Sequence, residues 1–138
     1  MSSSPEPGEP YQRLDAYERK VLDGWEEIYK RGLLTMWVLL AVRDQARYAA
    51  EIAGFVADHT RGTVTVDDRS LYRALRRLAR LELIAETPGP GARTGADRKY
   101  HRLTATGRRV LGAFIDRHVR PIYLEGNAHL FAEGSSST

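Results

Sequence analysis

The 138-residue sequence predicts a mainly helical α+β fold in which several helices surround one small β-hairpin. Apolar residues recur every three or four positions through most of the chain, as they do along amphipathic helices. Residues 83–87 and 98–103 have the character of two short strands, and the segment between them is rich in Pro and Gly, which predicts a hairpin loop. A chain of this length can form one domain around its own hydrophobic core.

Composition narrows the class of protein. The sequence has no Cys, so disulfides and thiolate metal sites are excluded. We expect a disordered lead over residues 1–10, because that segment is mostly Ser, Pro, Glu and Gly and lacks the apolar region of a signal peptide. The longest apolar run, residues 36–42, is far too short to span a bilayer. These features predict a cytoplasmic protein with no membrane partner.

The first half of the chain is predicted to form three helices. Residues 11–31 have the pattern of an amphipathic helix that ends at Gly32, and residues 33–42 of a second, more buried helix. Residues 46–59 are predicted to form the third. Residues 60–66 contain a glycine and a run of β-favouring Thr and Val, so a loop and a short edge strand both fit.

The second half is predicted to add two helices around the hairpin. Asp67 is a good N-cap for a helix over residues 69–81. Thr104 is a suitable N-cap for a last helix that runs towards Tyr123, and Pro121 is expected to bend or end it.

This order of elements is that of a winged helix-turn-helix, and additional helices at both ends are typical of dimeric regulators. The predicted boundaries are a disordered lead (1–10), an N-terminal amphipathic helix (11–31), a winged-helix domain (32–103), a C-terminal dimerisation helix (104–126) and a flexible tail (127–138).

Positive charge is concentrated in the middle of the chain. Residues 61–110 carry 12 basic and 5 acidic side chains, a net +7, although the whole chain carries only +3. Such a concentration of basic side chains in one segment indicates a polyanionic partner. The alternative is that these charges serve only to keep the protein soluble.

An Arg-rich stripe lies on the predicted helix 69–81. Its core face carries Leu71, Leu75 and Leu78. Its other face carries Arg69, Tyr72, Arg73, Arg76, Arg77 and Arg80, which are neighbours at helical spacing. Arg binds guanine edges and phosphates through a planar fork of donors that Lys lacks. A merely solvated face is the alternative, but such faces usually interleave Glu, and this one does not.

The N-terminal part of a recognition helix normally enters the major groove of DNA. The predicted base contacts come from Ser70, Arg73 and Arg77. The predicted phosphate contacts come from Arg69, Tyr72 and Arg76. The hairpin loop adds Arg93, Arg98 and Lys99 at or beside its tip, and a basic wing of this kind can contact the DNA backbone or a minor groove.

Two sequence motifs occupy the predicted central helix and the hairpin. Residues 70–78 have the sequence SLYRALRRL, residues 83–84 are Leu-Ile, and residues 98–107 have the sequence RKYHRLTATG. Together they resemble the LYxALxxL helix and the RKYxxLTxxG wing strand of the PadR family of bacterial regulators. Residues 47–52, RYAAEI, are similar to the family's GYEL segment more loosely. The resemblance covers about residues 32–115.

The resemblance implies a homodimeric DNA-binding repressor that is often relieved by a small effector. By position it places Tyr72 and the arginines in the recognition helix, Lys99 and Tyr100 on the wing strand, and Thr104 and Gly107 at the start of the dimerisation helix. The short stretch after Gly107 is similar to the compact subfamily with a single C-terminal helix. Such a dimer would hold two recognition helices about 34–36 Å apart on a palindromic operator.

Two positions depart from the family pattern. Glu82 stands where the family usually has Gly, and a left-handed helix end there would cost a non-Gly residue on the order of 1 kcal/mol. Arg47 replaces the Gly before Tyr48, and both residues join the predicted DNA-binding set, Arg47 as an extra phosphate contact.

The sequence also bears on functions other than DNA binding. Trp25, Tyr29, Trp37, Phe114 and Tyr123 could line an aromatic effector pocket between protomers, or they could serve the core and dimer packing alone. The four His residues lack metal-ligand spacing, and no catalytic or nucleotide-binding motif is present, so we expect neither an enzyme nor a cofactor. The rival interpretation is a winged-helix module that binds another protein rather than DNA.

Overall fold

The computed structural model describes residues 9–90 and 98–132. In chain order its elements are α1 (Glu9–Gln12), α2 (Ala16–Ala41), β1 (Arg47–Tyr48), α3 (Ala49–His59), α4 (Asp68–Arg80), β2 (Ile84–Gly89), β3 (Arg98–Leu103), α5 (Ala105–Phe114), a π-helical turn (Ile115–Val119), α6 (Arg120–Tyr123) and a 3₁₀ helix (Glu125–Leu130). The three strands form one antiparallel sheet in the order β1-β3-β2. The predicted α+β winged helix is confirmed.

The long helix α2 corrects the prediction of two helices separated at Gly32. It begins at Asp15, whose carboxylate accepts from the Glu18 amide at 2.8 Å while the Glu18 carboxylate accepts from the Asp15 amide at 2.8 Å. It therefore begins later than the expected residue 11, and it continues through Gly32 to Ala41. Gly32 does not adopt the left-handed conformation that ends helices at glycine, and Val38 and Leu39, which follow it, are buried in the core.

The start of α3 is also later than predicted, at Ala49 rather than Ala46. Arg47 and Tyr48 instead pair with His101 and Tyr100 of β3, so the third strand comes from this segment. Residues 60–66, for which an edge strand was one alternative, form a turn.

The hairpin is longer than predicted. Pro88 and Gly89, expected in the loop, pair with Lys99 and Arg98. The ring of Tyr100 lies so close to Gly89 that a Cβ there would overlap it, which explains why this strand end has no side chain. Residues 91–97, which include the predicted wing residue Arg93, lie outside the described residues.

The hydrophobic core lies between α2, α3, α4, α5 and the sheet. Its largest fully buried side chains are Ile52, Leu71, Leu78, Val38, Val42 and Val56. Leu75 is also buried, so all three leucines predicted for the core face of the central helix are confirmed.

The end of α4 contains the left-handed residue anticipated from the sequence. Glu82 has φ of 62°. Its amide donates to the Ala79 carbonyl at 2.9 Å, and the Leu83 amide donates to the Leu78 carbonyl at 3.0 Å, which together form a Schellman motif. This motif directs the chain from α4 into β2.

The start of α5 is joined to that turn. Thr104 caps α5 as predicted, accepting from the Gly107 amide at 2.9 Å, and its hydroxyl donates to the Glu82 carbonyl at 2.6 Å. A Cβ at Gly107 would overlap the carbonyl oxygen of Leu83. The threonine and the glycine therefore fix α5 against the turn at the end of α4.

The C-terminal segment continues past the predicted last helix. A π-helical turn (Ile115–Val119) precedes Pro121, which has no N–H to donate to a regular helix, and the helix ends at Tyr123. Residues 125–130 form the 3₁₀ helix, and Asn127 Nδ2 donates to the Pro121 carbonyl at 2.6 Å, at the start of the segment for which a flexible tail is predicted. Residues 1–8 and 133–138, where a disordered lead and tail were expected, lie outside the described residues.

None of the helices in the described part of the chain combines the length and the apolar character that a membrane span requires.

Candidate nucleic-acid interface

Helix α4 presents one apolar and one cationic face. Asp67 caps it by accepting from the Ser70 amide at 2.8 Å, and this hydrogen bond lowers the pKa of the Asp67 carboxyl, with the cations Arg73 and Arg69 adding to the effect. The buried face consists of Leu71, Ala74, Leu75 and Leu78. At ~100° per residue the opposite face is centred on Arg69, Arg73, Arg76 and Arg80.

The guanidinium groups on this face are available to a ligand. Within residues 9–90 and 98–132, no hydrogen bond or ion pair engages Arg69, Arg73 or Arg76, and all three side chains are exposed. A row of unpaired cations on a rigid helix is suited to contacts with phosphates and base edges.

Two residues predicted to contact bases lie at the edge of this face. Arg77 points to α2, where its Nη2 donates to Thr35 Oγ1 at 3.0 Å. The Ser70 hydroxyl donates to Asp67 Oδ2 at 3.3 Å. These hydrogen bonds compete with DNA contacts made by the same N–H or O–H groups, and the assignment of both residues as base contacts stays a prediction.

On its other side α4 meets the wing. A cleft of about 410 Å³, which we call the wing cleft, is lined by Tyr48, Ala49, Ala50, Tyr72, Arg98, Lys99 and His101. The structure thus brings together Tyr72 of α4, the N-terminus of α3 and the basic start of β3, which are far apart in the sequence.

Aromatic contacts hold the base of the wing. The Tyr48 and Tyr100 rings meet edge to face with centroids 5.5 Å apart, and the Arg98 guanidinium lies 4.2 Å above the Tyr48 ring. The Tyr100 hydroxyl donates to the Pro90 carbonyl at 3.3 Å. Lys99 is exposed. Tyr100 therefore positions the wing, and Lys99 is the cation most accessible to a ligand there.

Arg47 is held away from this surface. Its Nε donates to the Ala41 carbonyl at 2.6 Å, and its guanidinium lies 5.0 Å from the Phe55 ring centroid. It satisfies a carbonyl at the C-terminus of α2, where a cation is favoured. The extra phosphate contact predicted for Arg47 would require it to leave both partners.

Comparison with known proteins decides the family. Residues 38–113 match the PadR-like family of transcriptional regulators, which is more than half of the chain. The chain belongs to the PadR family. It is thus a transcription regulator rather than an enzyme.

Solved structures agree with this assignment. A PadR-family regulator from Eggerthella lenta is 26% identical, with a TM-score of 0.62, and the match covers 83% of this chain and 96% of that one. A PadR-like regulator from Bacillus cereus is 25% identical, with a TM-score of 0.60, and the match covers 75% and 96%. Bacillus subtilis PadR, solved in complex with operator DNA, is 19% identical with a TM-score of 0.56 and shares the fold over 62% of this chain and 49% of its own.

The aromatic residues singled out in the sequence lie mostly in one cleft of this PadR-family protein. The aromatic cleft has a volume of about 630 Å³ between α2 and the C-terminal helices, and four of the five predicted residues line it: Tyr29, Trp37, Phe114 and Tyr123. Thr60, Thr63 and His118 also line it. Trp25 lies in a separate pocket with Leu22 and Glu26 that also includes Tyr29.

His101 is the residue that sequence reasoning missed. It is only 3% exposed, and its Nδ1 has no hydrogen-bond partner in the described structure. Burial lowers the pKa of the His101 imidazole, opposed by the nearby Glu86 carboxylate and assisted by Lys99. The alternation of β3, which also buries Leu103, was the available signal that His101 faces inward.

Proposed function

We propose that this PadR-family protein binds duplex DNA in a sequence-specific manner and represses transcription as a homodimer until a small effector releases it. The observation that carries the proposal is the row of exposed guanidinium groups of Arg69, Arg73 and Arg76 on α4. Within the described residues, none of them makes a hydrogen bond or an ion pair. The complex of Bacillus subtilis PadR with operator DNA supports DNA as the ligand for this fold.

In this proposal α4 enters the major groove. Arg73 lies at the centre of the cationic face and is the best-placed base contact, because its neighbours Arg69 and Arg76 lie one turn before and after it. Arg69, Arg76 and Tyr72 contact phosphates on either side. Lys99 and Arg98 at the start of β3 lie across the wing cleft and contact the adjoining backbone.

The proposed dimer uses apolar surface that the single chain leaves uncovered. Tyr17, Val21, Trp25 and Ile28 recur at helical spacing on α2, and each is more than half exposed. The C-terminal segment adds Tyr123, Leu124, Leu130 and Phe131, also more than half exposed. Large apolar patches of this kind mark interaction surfaces, and a second copy of the chain would cover both.

The proposed effector is a small aromatic molecule in the aromatic cleft. Trp37, Phe114 and Tyr123 supply flat apolar walls. The Thr63 hydroxyl, which donates to the Thr60 carbonyl at 2.7 Å, supplies a polar contact because its oxygen can still accept a hydrogen bond. The cleft lies beside α2, which contacts α4 through Thr35, so an occupant can affect the DNA-binding helix.

Selection of bound genomic fragments tests the proposal. The full chain is mixed with sheared genomic DNA at moderate salt, and the retained fragments are sequenced. We expect a palindromic site whose half-sites are centred about one helical turn apart, and light scattering should give twice the 15.5 kDa chain mass. Recovery of no enriched sequence would contradict specific binding, and a monomer mass at micromolar concentration would contradict the dimer.

A further inference from the structure

The wing cleft has the features of an anion site. The first N–H groups of α3, an 11-residue helix, have no hydrogen-bond partner within the helix. They lie at the helix N-terminus, which is the positive end of the helix dipole. Arg98 and Lys99 add two cations to the lining. One carboxylate is also near, since Glu51 Oε1 accepts from the Tyr48 amide at 3.2 Å, and this hydrogen bond holds it at the helix N-cap.

A second, independent feature of the cleft is a buried base. His101 lines the cleft, is 97% shielded from solvent, and has an Nδ1 atom with no hydrogen-bond partner in the described structure. An unpartnered polar atom in the interior is costly unless a ligand supplies its hydrogen-bond partner. A neutral imidazole in such a place can accept a proton when an anion enters beside it.

Charged groups from each neighbouring element surround His101. Arg47 of β1 and Glu86 of β2 are its cross-strand neighbours, and Lys99 lies two residues away on β3. Arg47 is engaged by the Ala41 carbonyl. Burial and Lys99 disfavour the protonated imidazole of His101, while Glu86 favours it. One further negative charge beside the ring would therefore shift this equilibrium towards the protonated form.

We propose that the wing cleft holds one backbone phosphate of bound DNA and that His101 takes up a proton from solvent as that phosphate enters. The phosphodiester remains a monoanion, and the imidazole becomes an imidazolium. This inference rests on the proposed function, because it requires that DNA be the ligand. It makes DNA affinity depend on pH, with tighter binding in mild acid.

The experiment measures the Kd for a fluorescein-labelled 30-base-pair duplex of random sequence at 50 mM salt, at pH 8 and at pH 6. A random duplex is sufficient because a phosphate contact does not depend on base sequence. We expect the wild-type Kd to fall about five-fold from pH 8 to pH 6, within the roughly tenfold per pH unit that one proton allows. His101→Gln should reduce this change to less than about two-fold, and the matched control His129→Gln, at an exposed histidine of the C-terminal segment, should keep it.

A measurement on the wild-type chain guards against misfolding of the variant. Titration calorimetry at pH 6.5 in two buffers of different ionisation enthalpy counts the protons taken up per duplex-bound chain, and we expect net uptake. DNA binding without proton uptake, or with a pH dependence that His101→Gln leaves intact, would overturn this inference alone. Absence of any salt-sensitive DNA binding would overturn the proposed function as well.

Discussion

Arg77 Nη2 lies 3.0 Å from Thr35 Oγ1, so the candidate recognition helix α4 is joined to the long helix α2 by a hydrogen bond from a cation that is predicted to contact bases. A DNA contact through the same N–H of Nη2 would compete with this hydrogen bond, whereas a contact through the other N–H groups of Arg77 would not. The isosteric change Thr35→Val removes this competition. The hydrogen bond that it deletes contributes about 1 kcal/mol.

We therefore expect Thr35→Val to tighten DNA binding by up to about five-fold in the wild-type background and to have no effect when combined with Arg77→Ala. The measurement is fluorescence anisotropy with the selected operator for the four members of the double-mutant cycle. Equal Kd values for wild type and Thr35→Val would contradict a competition between Thr35 and DNA for Arg77.

Gly107→Ala should destabilise the fold by about 1–3 kcal/mol, because the added Cβ overlaps the Leu83 carbonyl and approaches Leu103 Cδ1 to 2.8 Å. Gly112→Ala on the same helix α5 is the matched control, since no atom lies within 4 Å of its added Cβ. That change should be neutral or stabilise by up to about 1 kcal/mol through helix propensity. Urea unfolding followed by circular dichroism measures both, and equal effects of the two variants would contradict the close approach at Gly107.

Glu82→Gly should stabilise the fold by on the order of 1 kcal/mol. Glu82 has φ of 62°, which strains a residue with a Cβ and suits glycine. Arg80→Gly, two residues earlier and inside α4, should instead destabilise by about 1 kcal/mol. The free energy of unfolding of each variant checks this, and a loss of stability in Glu82→Gly would show that its side chain has a role outweighing the backbone strain.

The stability of the DNA-free protein should fall in mild acid because of His101. Burial lowers the pKa of this imidazole below its usual 6.5, so the unfolded chain binds the proton more readily than the folded one. The contribution of His101 is therefore fully present above pH 6.5, and stability decreases as the pH falls from 6.5 towards the folded-state pKa. Thermal unfolding between pH 8 and pH 5 should show this decrease in wild type and a smaller one in His101→Gln. An equal decrease in both would assign the effect to other groups.

Much of the fold follows from local signals in the sequence. The N-caps Asp67 and Thr104 and the leucine face of α4 could be predicted because each depends on a side chain and its nearest neighbours along the chain. The left-handed conformation at Glu82 was implied only by the glycine that the PadR family usually has at this position. The PadR motifs predicted the same order of helix α4, wing strand β3 and helix α5.

The errors arise where tertiary contacts override local preference. Gly32 suggested a helix end, but burial of the following residues carries α2 through it. Arg47 and Tyr48 lie within the helix predicted over residues 46–59, but pairing with His101 and Tyr100, 54 and 52 residues later in the sequence, makes them a strand.

The candidate DNA-binding surface could be predicted from the sequence only in part. The stripe on α4 was visible from spacing, but the contacts that direct Arg77 to Thr35 and Arg47 to Ala41 join distant segments. The burial of His101 likewise depends on the strands and helices packed around it.

We propose that the cationic face of α4 binds DNA. A salt series with Arg73→Ala tests this binding most directly. Arg117→Ala, at an exposed arginine of the C-terminal π-helical turn, is the charge-matched control. The Kd for the selected operator is measured from 50 to 300 mM salt for the three proteins. We expect affinity to fall steeply with salt in wild type, Arg73→Ala to weaken binding by about 1–3 kcal/mol, and Arg117→Ala to match wild type. Affinity that does not respond to salt, or an Arg73→Ala variant that binds like wild type, would contradict the claim.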